Sequence, residues 1–394
     1  MTRTQVGIVG AGPAGLVLAH LLAQAGVESV VLERQSRAYI EKRVRAGLLE
    51  HGTVRLLKER GLGERMLERS LAHHGTELRF DGQRHRIPYS DLYGGREMRV
   101  YAQQELVADL VRLRLAAGGE IVFEAEDVEL EGIDSEAPLI RYRRGGEAAE
   151  LRCDFIAGCD GFHGVSRPSI PDGVLTIYND RLPFGWVGIL AAVPPSTTEI
   201  IYALHERGFA GHMLRTAGVS RFYLQCDPDD DIANWPDDRI WYELRTRLAT
   251  NDGWTLGEGP IIEKNITEMR SFLVSPMRHG RLYLAGDAAH IVPPTGAKGM
   301  NLAIHDAGVL AGAVASWYAG EGDGLLAGYS DTCLRRAWRV QEFSSWMSWM
   351  LHRLPEDTPN RAYREQLQRA QLAYVTSSPA AGASFAENYV GIEF

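Results

Sequence analysis

A glycine-rich turn near the N-terminus constrains the fold of this chain more than any other sequence feature. Residues 5–9 form a short apolar run that ends at the turn Gly-Ala-Gly-Pro-Ala-Gly over residues 10–15. Beyond the turn, apolar residues recur with the spacing of one helix face. A second apolar run over residues 29–32 ends at Glu33, 18 residues after Gly15. The pattern predicts a strand, a tight turn, a helix and a second strand, which together form a dinucleotide-binding βαβ unit.

Each position of this motif has a physical task. Gly10 permits the tight turn, Gly12 lets the backbone approach a pyrophosphate, and Gly15 allows the helix to pack closely on the strand. The N–H groups at the helix N-terminus stabilise phosphate charge, and the Glu33 carboxylate can accept hydrogen bonds from ribose hydroxyls. The motif by itself leaves FAD and NAD as alternatives, because both carry adenosine diphosphate.

The overall composition excludes two classes of partner. The chain has 394 residues, a formal net charge of -9 and a sequence pI near 5.8. Nucleic-acid binding draws on a concentrated positive field that this balance does not supply, so we expect no nucleic-acid partner. No apolar run approaches the roughly 18 residues that a membrane span needs, and the N-terminus lacks the features of a secretory signal. We therefore predict a cytoplasmic protein without membrane contact.

The cysteine pattern predicts neither a metal site nor a disulfide. Cys153, Cys159, Cys226 and Cys333 form no CxxC pair. Unpaired cysteines usually behave as small hydrophobic residues. We expect four free, buried thiols in a reducing compartment.

Two later segments resemble the first in ending a strand at a polar turn. Residues 153–167 read as a buried strand that ends in Asp160-Gly161, followed by a basic turn. Residues 282–285 form another apolar run that delivers Asp287 to a loop rich in glycine and proline, and a helix is predicted to start near Gly299. Strands that end in glycine turns can converge on one cofactor at the carboxyl edge of a sheet.

The set formed by the glycine turn, Asp160-Gly161 and Gly286-Asp287 resembles the class A flavin monooxygenases, which are FAD-dependent aromatic hydroxylases. Matching segments at 43–50, 101–103 and 387–391 extend the resemblance over essentially the whole chain. It implies an α/β fold (α+β overall), with a Rossmann-like FAD-binding domain on a mainly parallel sheet, a substrate domain on an antiparallel sheet, and a helical C-terminal part.

Residue patterns support a division of that kind. Residues 175–280 contain strand-like runs separated by Pro, Asp and Asn clusters. We predict a FAD-binding domain at 1–174 with substrate-side segments near 70–100, and an antiparallel substrate domain at 175–280. Residues 281–394 are predicted to return to the FAD domain and to add a helical part. The aromatic residues between 338 and 350 indicate core or dimer contacts, and we expect a homodimer.

The resemblance implies that NAD(P)H reduces FAD and that the flavin then forms a hydroperoxide with O₂. This hydroperoxide would hydroxylate 4-hydroxybenzoate at the 3-position to give 3,4-dihydroxybenzoate. By the same resemblance, Tyr202 contacts the phenolic oxygen, Tyr389 accepts its hydrogen bond, and His73 passes the proton outward. Histidine suits an exit position because it titrates near neutrality. Pro294 matches a catalytic position beside the flavin ring.

The substrate pocket departs from the family at two positions. Arg215 matches the carboxylate clamp, Tyr223 matches its hydroxyl partner, and Pro294 and Thr295 line the ring. Met213, however, stands where a serine hydroxyl normally holds the carboxylate, and Gly211 stands where a leucine lines the ring. Loss of a neutral hydrogen bond costs on the order of 1 kcal/mol, and loss of leucine is expected to open room beside the ring. The sequence therefore leaves open a substituted substrate, such as an amino- or hydroxy-bearing 4-hydroxybenzoate.

The resemblance also assigns residues to the two nucleotides. The predicted FAD contacts are Gly10, Gly12, Gly15, Glu33, Arg43, Arg45, Gln103, Asp160, Arg221, Asp287, Gly299 and Asn301. The predicted NAD(P)H contacts are Arg34, Gln35, Tyr39, His163 and Arg270. The basic and aromatic stretch at 34–39 favours NADPH over NADH, although Glu41 nearby would repel a phosphate.

Two other functions keep the dinucleotide fold without needing the tyrosine, arginine and histidine set. One is a flavin- or NAD-linked dehydrogenase that never activates oxygen. The other is a non-catalytic, redox-sensing flavoprotein that acts as a binding module. A spectrum and an NAD(P)H oxidation assay with phenolic acids separate these alternatives.

Overall fold

The computed structural model describes residues 2–43 and 47–392, so the predicted FAD contact Arg45 lies outside the described residues. The strands in chain order are β1 (Thr2–Arg3), β2 (Val6–Val9), β3 (Ser29–Glu33), β4 (Leu48–Leu49), β5 (Leu71–His73), β6 (Thr76–Phe80), β7 (Gln83–Ile87), β8 (Met98–Val100), β9 (Glu120–Phe123), β10 (Glu126–Glu131), β11 (Leu139–Arg144), β12 (Glu147–Arg152), β13 (Phe155–Gly158), β14 (Thr176–Ala191), β15 (Ile200–Ala203), β16 (Ala210–Thr216), β17 (Val219–Cys226), β18 (Ile261–Ser275), β19 (Arg278–His279), β20 (Leu282–Leu284) and β21 (His290–Ile291).

The helices in chain order are α1 (Pro13–Gln24), α2 (Arg37–Lys42), α3 (His51–Glu59), α4 (Glu64–Arg69), α5 (Tyr89–Leu92), α6 (Gln103–Ala116), α7 (Asp237–Leu248), α8 (Gly299–Tyr318), α9 (Gly324–Ala327), α10 (Tyr329–Leu351), α11 (Arg361–Ser377) and α12 (Pro379–Val390). Short 3₁₀ turns cover Arg167–Ser169, Ile232–Asn234, Gly286–Ala288 and Pro294–Gly296. Across residues 2–43 and 47–392, none of the helices combines the length and apolarity that crossing a bilayer requires.

A six-stranded sheet forms the N-terminal layer, in the order β19-β20-β13-β2-β3-β9. Its pairings are parallel except for β19, which runs antiparallel to β20. Strands β2, β13 and β20 are buried at every position. Helix α1 packs on β2 and β3, and α8 packs on α1. The predicted mainly parallel, Rossmann-like sheet is confirmed.

An eight-stranded sheet follows the order β21-β18-β14-β17-β16-β15-β6-β7. Strands β14 to β18 pair antiparallel, and β6 and β7 extend the sheet at one edge. Alternate residues of β17 are buried against α7 on one face. The opposite face packs against the C-terminal helices through a second apolar cluster, which includes Trp186, Tyr202, Phe209, Met350 and Tyr389.

The remaining strands form two small sheets, β1-β12-β11-β10 and β4-β8-β5. The C-terminal part is helical, with α8 against α1 and the long α10 against α8 and α11. The predicted α/β class with a helical C-terminal part is therefore confirmed. All four cysteines are free and buried, as predicted.

Candidate functional site

The glycine turn after β2 has the geometry that its sequence predicts. Gly10 has φ +105°, and a Cβ there would lie 2.3 Å from the Cys159 carbonyl oxygen. A Cβ at Gly15 would lie 2.0 Å from the Gly10 carbonyl oxygen, so close packing of α1 on the turn requires glycine. At Gly12, no described atom lies within 4 Å of the Cβ position. The turn thus leaves an open cradle at the N-terminus of α1, which suits a pyrophosphate.

Glu33 braces this cradle from the end of β3. One carboxylate oxygen accepts a hydrogen bond from Ala11 N at 2.8 Å, and the other accepts one from Gln35 N at 2.8 Å. Each carboxylate oxygen can accept more than one hydrogen bond. Glu33 can therefore hold the turn and also accept a bond from a ribose hydroxyl.

Three strand ends bring the predicted flavin residues to one edge of the six-stranded sheet. Gly158 pairs with Val9 on one side and with Leu284 on the other, so the segments that follow β2, β13 and β20 are neighbours. Gly10, Asp160 and Asp287 lie in these segments. The carboxyl edge of a parallel sheet is where such folds bind nucleotides.

The Asp160 carboxylate fits a cofactor donor at this edge. Its Oδ2 accepts bonds from the Ser166 backbone N–H at 2.8 Å and from the Ser166 hydroxyl at 2.9 Å. Its Oδ1 is buried and has no hydrogen-bond partner among the described residues. Burial raises the pKa of Asp160. An orphaned buried acceptor of this kind is satisfied by a donor from a bound group.

Gly299 and Asn301 place the N-terminus of α8 at the same site. The Cβ position of Gly299 has no described atom within 4 Å, so the helix end is open. Asn301 is buried, and its amide donates to the carbonyls of Leu48 and Ala297 at 2.9 and 3.1 Å. It also accepts from Glu50 N at 2.9 Å. Asn301 therefore fixes β4 and the preceding loop, a task that its sequence position alone does not reveal.

Two further predicted flavin residues lie on neighbouring segments. Gln103 is the first residue of α6 and is half-buried. Gly47 packs against this segment, because its Cβ position lies 1.9 Å from the Tyr101 carbonyl oxygen. Arg43 caps the C-terminus of α2, and its guanidinium carbon lies 6.0 Å from the Tyr39 ring centroid.

The predicted nicotinamide contacts form two separate groups. Arg34, Gln35 and Tyr39 lie after β3 and on α2. His163 and Arg270 both contact the Phe162 ring. The His163 and Phe162 ring centroids are 4.9 Å apart, and the Arg270 guanidinium carbon lies 5.0 Å from the Phe162 centroid. Among the described residues, no hydrogen bond or ring contact joins the two groups.

The register of the eight-stranded sheet places the predicted substrate residues on one face. Tyr202 lies directly opposite Gly211, and Gly211 lies directly opposite Tyr223. Residues directly opposite one another in a sheet share a face, and side chains along a strand alternate between faces. Met213 therefore shares the face of Gly211, which is the face that packs against the C-terminal helices. Arg215 lies at an irregularity of β16 between Leu214 and Thr216, and the charges of Arg221 and Tyr223 act on its guanidinium, so its side chain lies near the same face. We call it the pocket face.

A pair of buried tyrosines lies at one end of the pocket face. The hydroxyls of Tyr202 and Tyr389 are 2.7 Å apart, and both side chains are buried. Burial raises the pKa of both phenols well above the ordinary value. Each is therefore a neutral hydroxyl that can both donate and accept.

Two arginines lie further along the pocket face. Burial and the neighbouring Arg221 lower the pKa of Arg215 to about 10, so the guanidinium stays charged at neutral pH. Its Nη2 donates to the Gln104 side-chain oxygen at 3.0 Å. Sequence reasoning missed Gln104, whose only signal is its place next to Gln103. The Arg221 guanidinium carbon lies 5.3 Å from the Tyr223 ring centroid.

The room that Gly211 is expected to open beside the ring is limited by Phe209 next to the Gly211 backbone. A Cβ at Gly211 would lie 3.1 Å from the Phe209 ring, so that ring already occupies the adjacent volume. Phe209 stacks on Trp186 at 5.1 Å and on His352 at 4.6 Å between ring centroids. Trp186 in turn donates to His352 Nε2 at 2.7 Å. These three aromatic residues form a wall of the pocket face that the sequence did not reveal.

The expectation that His73 titrates near neutrality is also wrong. The side chain is buried, and burial, with a smaller effect of His74, lowers its pKa to about 4. Neither ring nitrogen has a hydrogen-bond partner among the described residues. His73 is thus a neutral imidazole at physiological pH and does not itself reach the surface.

Pro294 and Thr295 lie in a 3₁₀ turn that packs against α10. Thr295 is buried, and its hydroxyl is 2.7 Å from the Ser348 hydroxyl. Ala297 follows with φ 54°, a left-handed conformation that turns the chain into α8. Pro294 itself is exposed.

Comparisons with known proteins agree with this geometry. Residues 3–344 match a family model described as "FAD binding domain". The chain is 42% identical to p-hydroxybenzoate hydroxylase of Acinetobacter baylyi, over 100% of this chain and 96% of that protein. A solved p-nitrophenol 4-monooxygenase from Pseudomonas putida superposes with TM-score 0.82 at 23% identity and covers 100% of both chains. An aklavinone-11 hydroxylase solved with FAD and aklavinone gives TM-score 0.75 at 21% identity, over 89% of this chain and 70% of that one.

Proposed function

This chain belongs to the family of FAD-dependent aromatic hydroxylases that includes p-hydroxybenzoate hydroxylase, and we propose that its substrate is 4-hydroxybenzoate, hydroxylated at the 3-position with NAD(P)H and O₂. One observation supports this choice of substrate most directly. The pocket face has a buried hydroxyl pair, Tyr202 and Tyr389, at one end and a half-buried guanidinium, Arg215, at the other. A phenol with a carboxylate opposite its hydroxyl matches both ends.

The chain's own residues bind and activate this substrate. A planar guanidinium holds a carboxylate through two parallel hydrogen bonds, which is the role of Arg215, and Tyr223 contributes its hydroxyl. A free phenol has a pKa of about 10, so activation needs a partner that shares its proton. Tyr202 supplies that partner, and Tyr389 accepts the hydrogen bond in turn. The aromatic wall of Trp186, Phe209 and His352 excludes water from the ring.

FAD supplies the oxidising chemistry when it is bound. The glycine turn and Glu33 hold its adenosine diphosphate half, and Asp160 and Asp287 hold the central part. Gly299 leaves the N-terminus of α8 open, and the helix dipole would favour negative charge on a bound flavin. Asn301 would fix the adjoining loop, and Pro294 would line the space beside the cofactor. Arg43, Gln103 and Arg221 complete the proposed contacts.

For the second nucleotide we favour NADPH over NADH. Arg34, Gln35 and Tyr39 form a polar and aromatic surface after β3, and His163 with Arg270 form a second one around Phe162. Glu41, which would repel a 2′-phosphate, is paired with Arg37 at 2.7 Å. This ion pair reduces the repulsion.

Three broader features belong to the same proposal. The division into 1–174, 175–280 and 281–394 is supported by the two large sheets, with β6 and β7 as the substrate-side segment. A homodimer is supported by exposed aromatic side chains on α10 and α11, among them Trp338 and Tyr363. A cytoplasmic location is supported by the need for reduced nicotinamide nucleotide.

Met213 favours a second candidate, a substituted 4-hydroxybenzoate. A thioether cannot donate the hydrogen bond that a serine hydroxyl gives to a carboxylate. A ring substituent that gains a contact elsewhere on the pocket face offsets that loss. Phe209 next to Gly211 limits where such a substituent fits.

The proposal is tested with FAD-loaded protein, NADPH or NADH, and a panel of 4-hydroxybenzoate, its 3-amino and 3-hydroxy derivatives, and benzoate as the control without a phenol. We expect nucleotide oxidation to accelerate with 4-hydroxybenzoate and 3,4-dihydroxybenzoate to accumulate. Acceleration only by a substituted ring supports the second candidate. Oxidation independent of any phenol contradicts both and indicates a dehydrogenase or oxidase, and a flavoprotein without turnover indicates the binding module.

A further inference from the structure

Tyr89 is a buried tyrosine beside the hydroxyl pair that the proposed reaction leaves unused. It begins α5 directly after Pro88 and is 0% exposed. Its ring centroid lies 5.8 Å from that of Tyr389, with the planes tilted by 40°. Its hydroxyl has no hydrogen-bond partner among the described residues. A buried hydroxyl is costly unless it is satisfied, and ordered water is the usual partner where protein groups are not in reach.

Tyr89 connects the hydroxyl pair with a carboxylate at the surface. Ile87, two residues before Tyr89, pairs with Thr76, and Thr76 pairs with Ile200, the residue after Glu199. This register brings Tyr89 and Glu199 to the same end of neighbouring strands. In agreement with it, the negative charge of Glu199 adds to burial in raising the pKa of Tyr89. Tyr89 is therefore close both to Tyr389 and to Glu199.

Glu199 lies at the boundary with solvent. It pairs with Arg86 at 2.7 Å, and the exposed fractions of the two side chains are 15% and 49%. Its oxygens lie 2.7 and 2.8 Å from the Cβ position of Gly75, so a larger residue at position 75 would displace the carboxylate. The ion pair thus offers an end point from which a proton can pass to water.

Two other residues, Thr76 and His73, do not hold the released proton. Thr76 interacts with the Tyr389 hydroxyl, but it donates its own hydrogen to the Ile200 carbonyl at 2.9 Å. A carbonyl does not take up a transferred proton, so Thr76 ends that branch. His73 is buried with a lowered pKa, so it can pass a proton on but does not hold one at neutral pH.

We propose that Tyr89 is a relay residue in a second proton path, parallel to the path through His73. This second path runs from Tyr202 through Tyr389 and Tyr89 to the Glu199–Arg86 pair. The inference rests on the proposed hydroxylation of a phenol. The substrate O–H bond breaks, each hydroxyl accepts one proton as it releases its own, and one proton reaches solvent while the phenolate stays bound. Because the Tyr89 hydroxyl has no hydrogen-bond partner among the described residues, the path requires an ordered water between Tyr389 and Tyr89. No oxidant or reductant takes part.

The test measures proton release when FAD-loaded protein binds 4-hydroxybenzoate, with a pH indicator in a stopped-flow instrument and no reduced nucleotide. The variants are Tyr89→Phe, His73→Gln and the double variant. Tyr93→Phe, which removes a hydroxyl just beyond α5, is the matched control. Binding of benzoate, which has no phenol proton, and the thermal unfolding midpoint report whether a variant has lost its fold or its pocket.

For two parallel paths, each single variant keeps a measurable part of the release rate, and the double variant loses about tenfold or more relative to either single one. Tyr93→Phe behaves as the wild type, and benzoate binds all variants alike. The double variant Glu199→Gln/His73→Gln tests the outer end of the path independently and should lose the same fraction of the release rate. It replaces the Tyr89 variant if Tyr89→Phe does not fold.

A double variant that releases protons as fast as His73→Gln alone overturns the role of Tyr89, as does an equal effect of Tyr93→Phe. Loss of benzoate binding in Tyr89→Phe, with normal release in Glu199→Gln/His73→Gln, assigns Tyr89 to structure and also overturns it. Absence of proton release in the wild-type protein contradicts the proposed substrate and this inference together. The two failures are therefore distinguishable.

Discussion

Individual side chains on the pocket face are fixed by contacts with residues distant in sequence. Phe209 stacks on both the Trp186 and the His352 ring, and Gln225 accepts a hydrogen bond from the Phe209 backbone N–H at 2.9 Å. Gln225 also accepts from Arg353 N at 2.9 Å and donates to Arg353 O at 2.9 Å. Phe209 is thus locked to the segment after α10, and it cannot move aside for a larger neighbour at position 211.

Replacing Gly211 by leucine is therefore expected to overpack the pocket. The new side chain meets the Phe209 ring, and overpacking typically costs about 1–3 kcal/mol. Urea unfolding of Gly211→Leu measures this loss of stability. In the control, Phe209→Ala combined with Gly211→Leu should be more stable than the sum of the two single effects predicts. Additive effects would contradict a direct conflict between the two side chains.

At the scale of elements, the turn between β2 and α1 separates two uses of glycine. Gly15 is needed for packing, because its Cβ position lies 2.0 Å from a backbone oxygen of the same turn. Gly12 is not needed for packing, because nothing in the described chain lies within 4 Å of its Cβ position. Gly12 therefore leaves room for a cofactor to approach the backbone.

The substitutions Gly12→Ala and Gly15→Ala are expected to differ in the apoprotein. Gly12→Ala should leave the apoprotein unfolding midpoint close to that of the wild type and weaken FAD binding, since its methyl group enters the pyrophosphate space. Gly15→Ala should lower both the apoprotein unfolding midpoint and the affinity for FAD. Thermal unfolding without FAD measures the midpoint, and fluorescence titration measures the affinity. Wild-type FAD affinity in Gly12→Ala would show that the cofactor does not approach this residue.

At the scale of the whole molecule, three buried histidines link stability to pH. Burial lowers the pKa of His73 and His212 from 6.5 to about 4 and that of His352 to about 3. Arg79 contributes to the shift of His212. The unfolded chain therefore binds protons at a higher pH than the folded chain does. Their contribution to stability is full above pH 6.5 and decreases as the pH falls toward 4.

We expect the free energy of unfolding to fall between pH 7.5 and pH 5 by about 2 kcal/mol for each of these histidines, at about 1.4 kcal/mol per pH unit. Urea unfolding at both pH values measures the total. The variant His212→Gln should show a weaker pH dependence than the wild type. The variant His163→Gln, at an exposed position, should not. Equal slopes for His212→Gln and the wild type would contradict the assignment.

The βαβ unit, the carboxylates at the strand ends and the mixed fold can be predicted from the amino-acid sequence alone. These depend on local sterics and on hydrophobic periodicity, which a few neighbouring residues specify. Gly10, with φ +105°, illustrates how a single residue type reports a backbone conformation. The family resemblance added the identity of Tyr202, Tyr389 and Arg215, but no distance between them.

How the pocket is closed depends on tertiary contacts between segments that are distant in sequence. Tyr202 and Tyr389 are 187 residues apart in sequence and 2.7 Å apart in space, and no local pattern specifies that contact. The same holds for Phe209 over Gly211, for the lowered pKa of His73 and for the buried hydroxyl of Tyr89. Each depends on what the C-terminal helices and the sheet bring against one another, because burial and electrostatic coupling arise from packing between distant segments.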